Sequence, residues 1–201
     1  MHIFEEDQPE PEQEQEQEKV AEFAMAKKLL DARTILLFGE INMDVARQIT
    51  QQLLVLDAES DEPIKLYINS PGGHVESGDT IYDMIRFVNA PVKVIGTGWV
   101  ASAGALVYAA ADKENRYSLP NTRFLLHQPM GGARGQATDI AIEAEEIIKM
   151  RKRLNQIFAN QTGQPIEKVD EDTDRNFWMS AEEAKEYGLV GAIVNSFAEV
   201  K

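Results

Sequence analysis

Short apolar runs alternate along the chain with longer stretches in which apolar residues recur every three or four positions. The short runs predict buried strands, because each is bounded by turn-forming residues. They lie at residues 34–38, 64–69, 92–97 and 122–127. Tyr117 marks a further strand, which the turn at Pro120 and Asn121 separates from the last run.

The longer stretches have the periodicity of helices. They lie at residues 20–33, 42–59, 78–88, 102–111 and 136–160. A capping box at Ser180 and Glu183 opens a last helix, which ends before Gly188. Strands that alternate with helices predict an α/β protein with a parallel sheet covered by helices. We find no internal repeat and no domain linker.

One segment, residues 92–111, is long and apolar enough to be mistaken for a membrane span, with Lys93 as its one charge. Gly96 and Gly98 interrupt it, and a β-branched first part gives way to an alanine-rich second part. A buried strand, a glycine turn and a buried helix explain this pattern better. We therefore expect a soluble chain.

The N-terminal segment differs from the rest in composition. Residues 5–18 carry eight acidic side chains and no basic one, and they include Pro9 and Pro11. Such a segment cannot bury apolar surface, and its prolines disfavour a helix. We predict an acidic disordered tail over residues 1–19, with either a spacer role or a partner contact, and a single domain over residues 20–201.

Charge and cysteine content exclude several classes of function. The 201-residue chain has 34 acidic and 20 basic side chains and a net charge of −14, which disfavours nucleic acid as a partner because phosphates would be repelled. It has no cysteine, which excludes disulfides, a thiolate zinc site and a cysteine nucleophile. The N-terminus lacks the pattern of a secretory signal, so we expect a cytoplasmic protein.

A serine lies where a buried strand is predicted to turn into a buried helix. This residue, Ser102, stands among the small residues of GWVASAGA (98–105). Amides at the start of a helix favour a developing negative charge, so the position suits a nucleophile. Serine is also a common helix N-cap, and the pattern alone does not decide between the two roles.

Two other predicted strand ends carry candidate chemistry. His127 ends an apolar strand just before Gln128 and Pro129, where it fits a general base for a serine or a structural histidine. Gly72 and Gly73 follow another strand, where they would let backbone amides approach a ligand or form a plain tight turn. The chain has no GxxxxGK[ST] phosphate loop.

Taken together, these features resemble the proteolytic subunit of the Clp (caseinolytic) protease family. The matching stretches are YINSPGG (67–73), IYDMIRF (81–87), GWVASAGA (98–105), LPNTRFLLHQP (119–129), GGARGQATDI (131–140), EDTDRNF (171–177) and EEAKEYGLV (182–190). They follow in order over nearly all of residues 33–194, so the set is far more specific than any single motif. The resemblance implies a crotonase-like α/β fold of repeated β-β-α units with a protruding handle helix.

The resemblance also implies an activity and partners. Members hydrolyse peptide bonds of unfolded proteins inside a chamber formed by two stacked seven-membered rings of the subunit. A separate AAA+ unfoldase supplies the polypeptide and uses the ATP, so no cofactor and no metal are implied for this chain. Neither nucleic acid nor a membrane is an implied partner.

Matched position by position, the family's nucleophile falls on Ser102 and its general base on His127. The oxyanion-hole amides fall on Gly73 and Ala103, which agrees with the separate interpretation of both loops. The family's aspartate, counted without a gap along what we take to be a helix, falls on Asn176. This is a departure from the family pattern.

Asn176 changes what is expected of catalysis. An amide oxygen can accept from the imidazole N–H and hold its tautomer, but it lacks the charge that stabilises the imidazolium. Asp172 and Asp174 lie nearby as alternatives, although the gap-free register favours Asn176. We expect a weak or conditionally active protease whose activity rises in the Asn176→Asp variant.

Further positions match substrate binding and assembly. Gly131 and Gly132 match the strand edge to which substrate would add by backbone pairing. Asp174 and Arg175 match a charged pair across the ring-ring interface, although an ordinary surface ion pair is the alternative. Residues 136–160 match the handle helix.

Three aromatic residues, Tyr67, Phe87 and Tyr117, match part of the apolar pocket that receives unfoldase loops, although they could equally be core. Lys65 stands where the family often has an aromatic residue, and the acidic tail differs from the usual axial segment. These departures put direct docking of an unfoldase in question. A mixed assembly with a second proteolytic subunit is therefore an alternative.

Three functions thus remain open. We favour an active serine endopeptidase. The second function is a ring subunit with little activity of its own that serves assembly or regulation. The third is a crotonase-fold enzyme acting on acyl-CoA, which would use the loop at Gly72 and Gly73 without a Ser-His pair.

Overall fold

A computed structural model of the chain describes residues 11–132 and 134–200, without the side chains of residues 11–18. The strands in these ranges are β1 (Thr34–Phe38), β2 (Ile64–Ser70), β3 (Val92–Ala101), β4 (Arg116–Ser118), β5 (Arg123–Leu126), β6 (Phe177–Ser180) and β7 (Ala192–Ile193). The helices are α1 (Pro11–Asp31), α2 (Met43–Glu59), α3 (Val75–Phe87), α4 (Ala103–Tyr108), α5 (Ala137–Thr162), α6 (Ile166–Asp172) and α7 (Ala181–Tyr187). The predicted alternation of strands and helices is confirmed.

The strands form one sheet in the order β1-β2-β3-β4-β7, and all neighbours along this path are parallel. The long strand β3 has two partners in succession on one side. Its residues 94–96 pair with β4 and its residues 99–101 pair with β5, also in parallel. Gly98, with φ +62°, lies between the two sections. Strand β6 pairs with β5 and is antiparallel to it.

The core lies between the centre of this sheet and the helices that cover it. The inward side chains of β2, Ile64, Leu66 and Ile68, are fully buried. Helix α2 buries the stripe Ala46, Ile49, Leu53 and Leu56, and every residue of α4 is buried. Burying one such aliphatic side chain stabilises the fold by about 1.5–3 kcal/mol. The apolar periodicity of the sequence is thus the pattern of core contacts.

Segment 92–111 folds as predicted, with a buried strand β3 followed by the buried helix α4. Within the described ranges, no helix is both long and apolar enough to cross a bilayer. The interruption that separates strand from helix lies at Ser102, because β3 continues through the glycines as far as Ala101. The predicted glycine turn is therefore a change of strand partner.

Helix α1 begins at Pro11, whereas the sequence analysis starts it at Val20 and interprets residues 11–18 as part of a disordered tail. Proline is well tolerated at the first position of a helix, because the N–H it lacks would have no partner within the helix. Pro11 is therefore compatible with the first position of α1. Residues 1–10 of the predicted tail lie outside the described residues.

Helix α5 matches the predicted long helix and divides into two parts. Its buried residues all lie in the second half: Leu154, Asn155, Phe158, Ala159 and Thr162. In the first half, Ile140, Ile142 and Ile148 are about half exposed. The first half thus extends away from the core, as expected for the handle helix.

Candidate active site

The strand-to-helix junction between β3 and α4 holds Ser102 in an unusual backbone conformation. Its φ is +55°, one of two positive values among the non-glycine residues of the described ranges. Such a conformation is costly and persists only where the surroundings impose it. Here the Ser102 amide donates to the carbonyl of Leu125 on β5 (2.9 Å), which fixes the half-buried serine against the neighbouring strand.

A continuous chain of hydrogen bonds joins the three side chains assigned to catalysis. Ser102 Oγ lies 2.8 Å from His127 Nε2, and His127 Nδ1 lies 3.1 Å from Asn176 Oδ1. With the serine hydroxyl donating to Nε2, the Nδ1–H donates to the amide oxygen of Asn176. The structure therefore brings together residues that are far apart in the sequence.

Asn176 faces His127 because of the register between β5 and β6. The last paired residues of this antiparallel ladder are Leu126 and Phe177, and His127 and Asn176 are the next residues on either strand. The prediction that Asn176 lies along a helix is wrong. The residue lies between the end of α6 and the start of β6.

The nearby aspartates have other partners. Asp172 accepts from the hydroxyl of Tyr187 (2.8 Å) and from Lys168 (3.0 Å). Asp174 lies 3.3 Å from the guanidinium of Arg151 on α5. Of the three candidates, Asn176 is the side chain that is hydrogen-bonded to His127.

The loop after β2 packs its backbone directly against the serine. A β-carbon on Gly72 would lie 2.6 Å from Ser102 Cβ and 2.9 Å from the amide nitrogen of Ala103, so only glycine fits there. Ile41 holds this loop, donating to the Gly72 carbonyl and accepting from the His74 amide, both at 2.8 Å.

Ala103 is the first residue of α4, and its amide has no carbonyl partner within that helix. Gly73 follows Gly72 in the loop, at φ +146°. The loop that carries Gly73 and the helix start that carries Ala103 are thus neighbours beside Ser102. Their role as an oxyanion hole stays a prediction.

A cleft of about 710 Å³ opens beside His127 and Asn176. Its lining includes the apolar Pro129, Met130 and Ile147 and the charged Asp174 and Arg175. The cleft is large enough for a side chain of a bound peptide.

Gly131 and Gly132 lie at this cleft or beside it, exposed and in irregular backbone. The strand edge expected there is absent from the described part of the chain between β5 and α5. The backbone instead approaches α5, since a β-carbon on Gly131 would lie 2.8 Å from Ile147 Cδ1. Binding of substrate at these glycines stays a prediction.

The residues matched to assembly and docking are only partly brought together. Asp174 is nearer to Arg151 (3.3 Å) than to its sequence neighbour Arg175 (3.9 Å). Tyr67 and Tyr117 pack in one small apolar cluster, where burial raises the pKa of Tyr67. Phe87 is 75% exposed at the end of α3 and is not a member of that cluster.

Sequence reasoning missed a polar network behind the site. The Gln128 side chain donates to the Asp174 carbonyl (2.6 Å) and accepts from the Arg151 guanidinium (3.1 Å). The backbone N–H of Gln128 donates to the Thr173 carbonyl (2.7 Å). This network links the residue after His127 to the segment before Asn176. The position of Gln128 next to His127 was the one sequence signal for it.

Comparison with known proteins decides the family. The family model described as Clp protease matches residues 15–197. The chain belongs to the Clp protease family. Its fold is the Clp protease fold that the sequence analysis predicted, and its activity is that of a serine endopeptidase. The acyl-CoA alternative has no support from these findings.

Two relatives illustrate the similarity. The chain is 66% identical over 176 residues to the ATP-dependent Clp protease proteolytic subunit 2 of Gluconobacter oxydans, which covers 87% of this chain and 79% of the relative. It is 54% identical over 182 residues to the subunit of the same name from Pseudomonas aeruginosa, covering 90% of this chain and 88% of the relative. The chain is therefore a proteolytic subunit of a Clp complex.

Solved structures of Clp protease subunits have the same fold as this chain. ClpP1 from Listeria monocytogenes has a TM-score of 0.80 and 53% identity, covering 88% of this chain and 99% of that one. A ClpP1 variant from the same organism, in which an asparagine is replaced by aspartate, has a TM-score of 0.83 with the same identity and coverage. Clp protease subunits assemble into oligomers that work with Clp ATPases.

Proposed function

We propose that this Clp protease subunit hydrolyses peptide bonds with Ser102 as nucleophile, His127 as general base and Asn176 as the group that orients the imidazole. The observation that carries the proposal is the unbroken hydrogen-bonded chain from Ser102 Oγ to Asn176 Oδ1. A serine, a base and an orienting group in this geometry make up a nucleophilic active site.

The reaction begins when His127 Nε2 takes the proton of the Ser102 hydroxyl as Oγ attacks the carbonyl carbon of the peptide bond. The carbonyl oxygen becomes an oxyanion, which accepts hydrogen bonds from the amides of Gly73 and Ala103. The C–N bond then breaks, and His127 gives its proton to the leaving amine. The product is an acyl ester on Ser102.

Water hydrolyses this ester by the same route. His127 takes a proton from the water as its oxygen attacks the ester carbon, and returns it to Ser102 Oγ as the C–O bond breaks. The carboxylic acid product leaves, and the free hydroxyl is restored. The proposed reaction at this subunit uses no cofactor and no metal, and the ATP is used by the unfoldase.

Asn176 makes the enzyme slow. Its amide oxygen holds the Nδ1–H tautomer, but it cannot balance the positive charge that His127 acquires in each half of the reaction. In a serine protease of another family, replacing the orienting aspartate by asparagine lowers turnover about 10⁴-fold. We therefore propose a low intrinsic turnover that depends on how well the assembly holds the imidazole.

The substrate is an unfolded polypeptide that lies extended across the site. Gly131 and Gly132 offer backbone groups without side-chain hindrance, and the 710 Å³ cleft beside them would receive one substrate side chain. Irregular backbone at these glycines suits a segment that becomes a strand only when a peptide pairs with it.

The assembly that we propose is two stacked seven-membered rings in the cytoplasm, homomeric or with a second proteolytic subunit, served by an AAA+ unfoldase. The exposed Ile140, Ile142 and Ile148 of α5 are apolar surface suited to ring-ring contact, and Asp174 and Arg175 are proposed to form a charged pair across the same interface. Tyr67, Phe87 and Tyr117 are proposed to contact the unfoldase.

A fluorophosphonate probe tests the proposal, because it reacts only with an activated serine. We expect the assembled protein to be labelled on Ser102, as mapped by peptide mass spectrometry. The Ser102→Ala variant should not react, and the His127→Ala variant should react far more slowly. A fully assembled protein, verified by native mass, that is not labelled would contradict the proposal and favour a ring subunit with an assembly role.

A further inference from the structure

Both tryptophans of the chain stand next to each other beside the candidate active site. The rings of Trp99 and Trp178 are stacked, with centroids 6.4 Å apart and planes at 4°. The guanidinium of Arg123 lies 4.3 Å from the centroid of the Trp178 ring. We call these three residues the indole stack.

The indole stack joins the three strands that hold the catalytic side chains. Trp99 lies on β3 shortly before Ser102, Arg123 on β5 before His127, and Trp178 on β6 just after Asn176. Trp99 and Arg123 are register partners, and Trp178 contacts both. The stack is therefore a side-chain bridge across the strand pairs that set the geometry of the site.

Strand β6 is a short edge strand that the buried Met179 anchors to the core. It is four residues long and pairs with β5 through four residue pairs, with no second strand partner in the described ranges. A slip of one residue in a ladder turns every side chain to the opposite face. Such a slip would take Asn176 away from His127 and Trp178 away from the stack at the same time.

Simple burial does not account for Trp178. The side chain is 36% exposed and Trp99 is 42% exposed, so both rings stand at the surface. The opposite face of β6 carries Phe177, which packs against Tyr187 with ring centroids 5.5 Å apart. Phe177 anchors β6 to the core, and Trp178 anchors it to the strands of the site.

We propose that Trp178, through its contacts with Trp99 and Arg123, is a positioning residue that fixes the β5–β6 register and so holds Asn176 against His127. This inference rests on the proposed function. It has particular weight in this chain, because a neutral amide orients the imidazole by one hydrogen bond without the attraction of a full charge. The scaffold must supply the alignment that charge would otherwise reinforce.

The experiment measures the saturating rate constant and the half-saturating concentration of fluorophosphonate labelling at Ser102 in the full-length assembled protein. We expect Trp178→Leu to lower the rate constant about tenfold and leave the half-saturating concentration unchanged, because small misalignments of catalytic groups are costly. Trp178→Phe keeps an aromatic ring over Arg123 and should stay within about twofold of the wild type.

Two further variants make the test specific. In an Asn176→Ala background, Trp178→Leu should cause no additional loss, because the group it positions is gone. Phe197→Leu is the matched control, since Phe197 is also an exposed aromatic beside a cation, 5.0 Å from Lys65, on another part of the molecule. It should label at the wild-type rate.

Three results would overturn the inference: wild-type labelling of Trp178→Leu, a loss in Trp178→Phe as large as in Trp178→Leu, or an equal further loss in the Asn176→Ala background. If Trp178→Leu does not assemble, Arg123→Gln retains both rings and should still slow labelling about two- to fivefold; an unchanged rate would contradict the inference. Absence of labelling in the wild type would instead refute the proposed function, and the inference with it.

Discussion

The centre of the sheet and its antiparallel edge are built differently. At the centre, β2 pairs on both sides, and its inward side chains are completely buried under helices. At the edge, β5 and β6 meet over four residue pairs. Phe124, Leu126 and Met179 are buried there, whereas Arg123 and Trp178 stand at the surface. Yet this edge positions both residues, because His127 comes directly after β5 and Asn176 directly before β6. Core-facing side chains of both regions thus stabilise the fold, whereas alignment of the active site depends on strand pairing at the edge.

The first test of this division removes the nucleophile. Ser102→Ala should abolish detectable peptidase activity, because no acyl ester can form without the hydroxyl. Ser102 contributes no large buried surface, so the denaturation midpoint should change little. Activity assays and chemical denaturation of the same preparation check both results, and a variant that keeps wild-type activity would refute a catalytic Ser102.

The second test changes the edge. Asn176→Asp places a full negative charge beside the Nδ1–H of His127, and activity should rise, by as much as about 10⁴-fold. Peptide turnover measured on assemblies of equal native mass checks this. Equal or lower activity in intact assemblies would show that charge at this position does not limit the reaction.

A third test changes the centre. Leu66→Ala removes a completely buried side chain of β2 and should lower the free energy of unfolding by about 2–5 kcal/mol. Leu54→Ala, at a leucine that is 44% exposed, is the matched control and should change it by less than about 0.5 kcal/mol. Labelling at Ser102 per folded subunit should be unchanged in both. If Leu66→Ala kept the wild-type free energy of unfolding but lost labelling at Ser102, this would contradict the separate roles of the centre and the edge.

The smallest expected effect concerns the capping box at the end of β6. The Ser180 backbone N–H donates to Glu183 Oε2 (2.7 Å), and this hydrogen bond lowers the pKa of Glu183. A hydrogen bond with the Ser180 side chain lowers the pKa further. Because the folded-state pKa is lowered, the stabilisation is present at neutral pH and is lost as the pH falls through it.

Thermal unfolding over a pH series checks this effect. Glu183→Gln should lose slightly less stability than the wild type as the pH is lowered from neutral to acidic. Parallel curves for the two proteins would show that the capping box makes no pH-dependent contribution.

The sequence predicts the centre of the molecule well. Runs such as residues 34–38 and the stripe of α2 are local patterns, and their burial follows from their periodicity. Ser102 and His127 could be singled out because each stands at an interruption of such a pattern. The start of α1 was missed because Pro11 was interpreted as a helix breaker.

The edge could not be predicted from the sequence in the same way. Whether Asn176 faces His127 depends on the pairing of β5 with β6, which joins residues about fifty positions apart. The residues around Asn176 have no strong strand pattern, and β6 itself was not predicted. The indole stack likewise depends on strand pairing, because Trp99 and Trp178 lie far apart in the sequence.

The most direct test of the account is an experimental structure of the assembled protein after reaction with a phosphonate inhibitor. The account predicts phosphorus bonded to Ser102 Oγ, a phosphoryl oxygen accepting from the amides of Gly73 and Ala103, and His127 hydrogen-bonded to Asn176. A phosphonate attached elsewhere, or an ordered assembly in which Ser102 and His127 lie apart, would contradict it.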